Sequence, residues 1–335
     1  MLLPHQIGLK LTPISKSQLS RIQKIQGELF IKNDNLFERI ATANTVLDSK
    51  NLEKYIQNDL NEFFIESKDY DFIKDVFFRD LQETTRKLSV GDAKERGRDY
   101  VLILLENLSL LYHEHFDQQL LSLIYQTTPS YCSYLLHNKN LIPYFYKKID
   151  RSQMHFIYKQ PVLSSLFLLS FLFESLILNH KESQDLFILS LIKDLGMCFL
   201  PKSAWGKRNL DKFEQEALNL HAINSVQLLK DRLPLQLSAL NLIENHHFYN
   251  DAVRDILTDQ KEYLQNNLSQ GIETSFIALS DLIVAMKSLR PYRSSYSNDI
   301  IIKVVSRLMR DQYKIEELAL TRYIQHFFQK VQDAE

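Results

Sequence analysis

The chain has 335 residues, 45% hydrophobic and 24% charged, with 40 basic against 41 acidic side chains. Those values describe a folded protein with room for two domains or one large one, and a net charge of -1 gives no global pull toward a nucleic-acid polymer. Glycine is scarce, at 7, and no GxGxxG or GxxxxGK(S/T) phrase occurs, which argues against a Rossmann or P-loop nucleotide site.

Met1-Leu2-Leu3-Pro4-His5 is not followed by the apolar core of a signal peptide. The two cysteines, Cys132 and Cys198, form neither a metal pair nor a disulfide framework. Both observations point to a cytoplasmic protein. Glu28–Lys32 and Leu36–Ile40 read as strands around the turn Lys32-Asn33-Asp34-Asn35. Asp48–Asn58 reads as a short helix, Asn61–Glu66 as a third strand, and a second helix starts near Ser67–Asp69. From Asp69 the period is helical, clearest over Asp99–Tyr112, where apolar residues recur at three and four. Thr127-Thr128-Pro129-Ser130 is predicted to end one helix and start another.

Seven helices follow, over roughly 155–178, 183–196, 211–230, 234–248, 274–288, 297–311 and 315–331. Asp211 with Glu214 makes a capping-box pattern, which places His221 near the middle of its helix. The apolar run from Val162 to Phe173, or to Leu178 if Glu174 is tolerated, contains Ser164, Ser165, Ser170 and Ser175 and at its longest sits at the short limit for crossing a bilayer, so it is read as a core helix and no membrane span is expected. The expected organisation is mainly α: a small α/β module over 1–80, a helical connector over 81–150 and a helical domain over 151–335.

The chemistry concentrates in the C-terminal half. Lys193-Asp194, His221, His246-His247 and Asp281 supply imidazole and carboxylate donors, the types that hold Fe, Mn or Zn. Lys193-Asp194-Leu195-Gly196-Met197 is followed by Leu200-Pro201, then Lys207-Arg208-Asn209-Leu210-Asp211, and Asp281 precedes Arg290-Pro291-Tyr292-Arg293. In order and spacing this set resembles the HD-GYP family, metal-dependent phosphodiesterases that hydrolyse cyclic di-GMP. The resemblance covers about residues 155–330 and implies an all-helical HD-type domain, with Asp194, His221, His246, His247 and Asp281 as metal ligands. Read alone, His246-His247 would be a capping or surface pair.

The departures are as informative. Lys193 stands where the family has the histidine of its His-Asp pair, and Met197 where it has a lysine expected to contact substrate phosphate. The upstream histidine falls at Pro161, beside Gln160, and the preceding glutamate near Ile157. After His247 there is no Gly-Tyr-Pro phrase. A protonated lysine has no lone pair to give a cation, so the metal position that would use residue 193 is expected to be lost. The position built from Asp194, His221, His246 and His247 keeps its donors, which leaves room for one divalent transition metal or for none. The Lys193 ammonium would itself neutralise Asp194 and Asp281. Lys207, Arg208, Arg290 and Arg293 are candidate phosphate contacts, or else structural ion-pairing groups and a solvated loop.

The function these features imply is that of a degenerate HD-GYP-like signalling protein, acting through a protein partner or by binding cyclic di-GMP without cleaving it. The alternative is an active phosphodiesterase with a mononuclear or rearranged site. A purely structural helical scaffold is the third reading.

Overall fold

The structure is a computed structural model and describes residues 11–14, 19, 22, 24–33, 36–46, 63–112, 117–152, 154–201, 204–258, 271–290, 292–309 and 313–334. The chain divides into two compact units, Met1–Glu83 and Thr84–Glu335.

Among the described residues the first unit holds four strands: β1 (Leu11–Ile14), β2 (Leu29–Asn33), β3 (Leu36–Ala41) and β4 (Phe63–Glu66). They form one antiparallel sheet in the order β1-β4-β2-β3. β2 and β3 make the expected hairpin, with Asn33 opposite Leu36 and a register shift between Leu29 and Phe30. β4 is the expected third strand. β1 was not anticipated, since four residues are too few to show an alternation. The helix expected over Asp48–Asn58 and the histidines His113 and His115 lie outside the described residues. Helix α1 (Tyr70–Arg86) follows a short 3-10 turn over Ser67–Asp69 and buries Tyr70, Ile73, Phe77 and Leu81, a single face at three-and-four spacing.

The second unit is helical among the described residues. Helices α2 (Ala93–Leu111) and α3 (Gln118–His137) are N-capped by Asp92 and Asp117. The break expected at Pro129 does not occur: α3 runs through it. The hydroxyls of Thr127 and Thr128 donate back to the Leu123 and Ile124 carbonyls, at 2.9 and 2.6 Å. Leu120, Leu121, Leu123 and Ile124 before the proline and Tyr131, Cys132 and Leu135 after it are all buried, so packing holds both halves on one axis. The missing amide donor costs less here than separating the two apolar faces would.

Helix α4 (Ile142–Asp150) leads to α5 (Phe156–Ser175), which is buried on all sides from Pro161 to Phe173 and packs against α4, α6 (His180–Ile192) and α10 (Ile272–Lys287). Among the described residues α5 is the one helix long and apolar enough to cross a membrane, and 83% of its apolar window is buried inside the protein, as expected of a core helix. It ends at Leu176, in the left-handed conformation at φ 55°. Helices α7 (Lys212–Leu229), α8 (Leu237–Glu244), α9 (Asn250–Leu257), α11 (Asn298–Met309) and α12 (Lys314–Asp333) complete the unit. Phe167 and Phe171 of α5 meet Tyr323 and Phe327 of α12 and Phe276 of α10, an aromatic cluster behind the site described next.

Two boundaries differ from expectation in ways that matter. Helix α6 begins at His180, because Asn179 and Glu182 form a capping box, and it ends at Ile192 rather than 196. Helix α8 stops at Glu244, so the two adjacent histidines stand in a turn, not on a helix.

Candidate metal centre

Lys193 is the C-cap of α6, and Asp194 leads into a 3-10 turn over Leu195–Phe199. That turn packs closely against α7, with Gly196 at the contact. A Cβ on Gly196 would lie 2.0 Å from the His221 carbonyl oxygen and 2.6 Å from the Ser225 amide nitrogen. With no side chain there, the Gly196 amide donates to the Ser225 hydroxyl at 2.7 Å, and that hydroxyl donates to the His221 carbonyl at 2.9 Å. Glycine therefore sets the depth at which α7 presents His221 to Asp194. The expected capping box starts α7: the Asp211 carboxylate accepts from the Glu214 amide at 2.8 Å, and Glu214 accepts from the Asp211 amide at 3.0 Å.

Asp194, His221, His246 and His247 each offer one ligand atom, and these atoms all lie within 4.8 Å of one another. The Nδ1 atoms of His221 and His246 face the carbonyls of Leu218 and Ile243. A carbonyl can only accept, so Nδ1 carries a proton in both rings, and Nε2 is the ring atom turned toward the cluster. Those Nε2 atoms point inward, His246 Nε2 at 2.9 Å and His221 Nε2 at 3.6 Å from Asp194 Oδ1. His247 Nε2 lies 2.8 Å from His221 Nε2. Burial, with His246 and His221 beside it, pushes His247 down to about 3, so its imidazole is neutral. Three imidazoles and one carboxylate thus converge ligand-type atoms on one point, an arrangement that could hold a metal ion. Outer carbonyls fixing the ring tautomers are the usual second layer of a metal site. The residues present fit one divalent transition ion held by four donors.

Asp281 stands apart from this donor set. It is buried on α10 and accepts from Lys193 Nζ at 2.7 Å. The same ammonium donates to Asp194 Oδ2. Lys193 is 0% exposed, so its charge has no water to fall back on. Burial alone would lower its pKa, but Asp194 and Asp281 outweigh that and raise it above the ordinary lysine value. Burial pushes both carboxyls up, but Lys193, with the neighbouring histidines, outweighs it and holds Asp194 well below the usual carboxylate range and Asp281 below it. Gln160 completes this half: its Nε2 donates to Asp281 Oδ1 at 3.0 Å and to the Asp281 carbonyl at 2.9 Å, while its Oε1 accepts from Arg290. Arg290 also lies over the Phe156 ring, 4.3 Å from its centroid.

The other candidate contacts are placed as follows. Arg293 donates to the carbonyls of Ala285 and Met286, closing the C-terminal end of α10. Lys207 pairs with Glu214, tying its loop to the α7 cap. Arg208 is exposed, as is His180. His155 is not among the converging donors; it N-caps α5 by accepting from the Ile157 amide. Gln160 appeared in the sequence only as the residue beside a missing histidine. Its reach across to α10 had no local signal. A separate cavity of about 690 Å³, lined by residues such as Tyr125, Lys181, Gln236 and Glu273, includes none of the cluster residues.

No protein-family model matches the chain, and no curated protein matches it. Among solved structures the chain is similar to Bd1817, an HDG"Y"P protein from Bdellovibrio bacteriovorus. The TM-score is 0.60 at 12% sequence identity, over 96% of this chain and 100% of that one. Taken with the helical architecture and the buried Asp-His cluster, the match shows that this chain has an HD-GYP-like fold.

Proposed function

We propose that this protein is a non-catalytic HD-GYP-like signalling protein that acts by binding, either to cyclic di-GMP or to a protein partner. The observation that carries this reading is that its donors gather into one metal position, Asp194–His221–His246–His247, while Lys193 and Gln160 occupy the neighbourhood of Asp281. Two-metal hydrolysis uses one ion to activate water and a second to stabilise the leaving oxygen. One ion at the three-histidine position would supply a single Lewis acid. The chain's own groups around it bind and neutralise: Lys193 holds two carboxylates, and Arg290 stacks on Phe156. Met197 offers no ammonium for a phosphate. The cytoplasm, where cyclic di-GMP is made and read, is the compartment this reading assigns.

The intact three-histidine set favours a second reading, a slow mononuclear phosphodiesterase. Three measurements on the purified protein separate the two. Elemental analysis should find no more than one transition metal per chain. Calorimetric titration should register cyclic di-GMP binding, or its absence should direct attention to a protein partner. Incubation with cyclic di-GMP and Mn or Fe should release no linear dinucleotide or GMP. Robust metal-dependent turnover would overturn the binding reading.

A further inference from the structure

The Asp194 carboxylate is divided between two sets of partners. Its Oδ1 faces the histidine Nε2 atoms, and its Oδ2 takes the Lys193 ammonium. The same ammonium reaches Asp281, which is further held by the Gln160 amide. Lysine is seldom fully buried, and when it is, its charge is paired. Here the pairing is with two carboxylates that would otherwise repel each other across a poorly solvated gap. The Lys193 stem starts at the C-cap of α6, Asp194 follows it directly, and Asp281 comes from α10. The ammonium is therefore also the electrostatic tie between α6 and α10 at this point.

We infer that Lys193 is a tethered cation occupying the position between Asp194 and Asp281 that a second ion would otherwise fill, so that this half of the site stays charged, closed and folded without metal. This deepens the proposed function, since it rests on the reading that only one metal position survives. The division of labour follows from geometry. Lys193 fixes Oδ2 of Asp194, which turns Oδ1 toward the three imidazoles. The one remaining position can then gain or lose its ion while Asp194 and Asp281 remain compensated.

The test is made on the full chain after exhaustive chelation, so that metal stoichiometry does not enter. Lys193→Met keeps most of the side-chain volume and removes the charge. Its Tm should fall by about 6–20 °C, the range for breaking a buried charged group's pairing in a domain of this size. Lys193→Met/Asp281→Asn, with one carboxylate also neutralised, should recover a substantial part of that loss, which a packing role for the lysine would not predict. Should Lys193→Met yield no folded protein, the double variant decides: a folded double supports the inference and an unfolded one overturns it. A Lys193→Met protein as stable as wild type, or a double variant no better than the single one, also overturns it. Neither result touches the metal count of the wild-type protein, on which the proposed function stands or falls separately.

Discussion

The Gly196 amide and the Ser225 hydroxyl are 2.7 Å apart, and through that hydrogen bond the Asp194 turn is locked to the helix that carries His221. The contact leaves no room for a methyl group, because the atoms a Cβ would strike, the His221 carbonyl and the Ser225 amide, belong to backbone. Gly196→Ala should push α7 away and separate His221 Nε2 from Asp194 Oδ1. Overpacking of this kind costs about 1–3 kcal/mol. The variant should lose metal affinity more than it loses stability. Titration with Co or Mn followed spectroscopically, beside a thermal melt, checks both parts. Metal binding at wild-type affinity would show that the spacing is not set here.

Ser225→Ala addresses the same link from the other side. It leaves a buried Gly196 N–H without its acceptor, at a cost of about 1–3 kcal/mol. No atom is forced to move, so its metal affinity should fall less than that of Gly196→Ala. The ranking of the two variants by metal affinity is the measured outcome, and the reverse order would refute the argument.

Metal protection should be visible in the melting curve. An ion present at a hundred times its Kd adds about 2.7 kcal/mol to the native state, or roughly 5–10 °C for a domain of this size. His221→Ala and His246→Ala each remove a donor of the converging set and should abolish most of that gain. Arg208→Ala, on an exposed loop residue, should retain it. Equal protection of all three by added Mn or Fe would mean the ion binds elsewhere.

Much of this site could be read from the chain itself, because its parts are short phrases with local meaning. Asp211 with Glu214 announced a helix start, and both carboxylate bonds are present. The order Asp194, His221, His246-His247 gave four donors, and the fold brings them within 4.8 Å. What could not be read depends on distance in space. Gln160 meets Asp281 only because α5 packs on α10. The assignment of Arg293 to the α10 carbonyls is decided by the chain reversal after α10, which residue type does not reveal. Pro129 misled for a related reason: local propensity ends a helix there, and the buried faces on either side override it.

The Gln160–Arg290 contact gives a further expected outcome. Arg290 is buried, donates to Gln160 Oε1 and lies over Phe156. A lysine would keep the charge but lose the planar fork and the stacking. Arg290→Lys should therefore be destabilised by about 1–3 kcal/mol, on the scale of a lost hydrogen bond to a charged group. Urea denaturation measures it. A wild-type midpoint would place the Arg290 contribution entirely in its charge.

His155 supplies the pH prediction. It is pushed down to about 4, first by burial and then by the Arg290 and Lys159 cations that face it, with the Phe156, Tyr158 and Trp205 rings packed around it. Its ring accepts from the Ile157 amide at the start of α5, a role that needs the neutral form. The unfolded chain binds a proton at the ordinary histidine value near 6.5, whereas the folded chain resists until about 4. Between those values the unfolded state holds more protons, so stability rises with pH there. The His155 contribution should be complete above pH 6.5 and fall away as pH drops toward 4. His155→Gln keeps an acceptor for the α5 cap and does not titrate. The stability difference between wild type and variant, from urea midpoints on chelated protein, should therefore grow across that window and then level off. A difference that is flat from pH 4 to 7, or that shrinks as pH rises, would show that His155 is not held neutral by its surroundings.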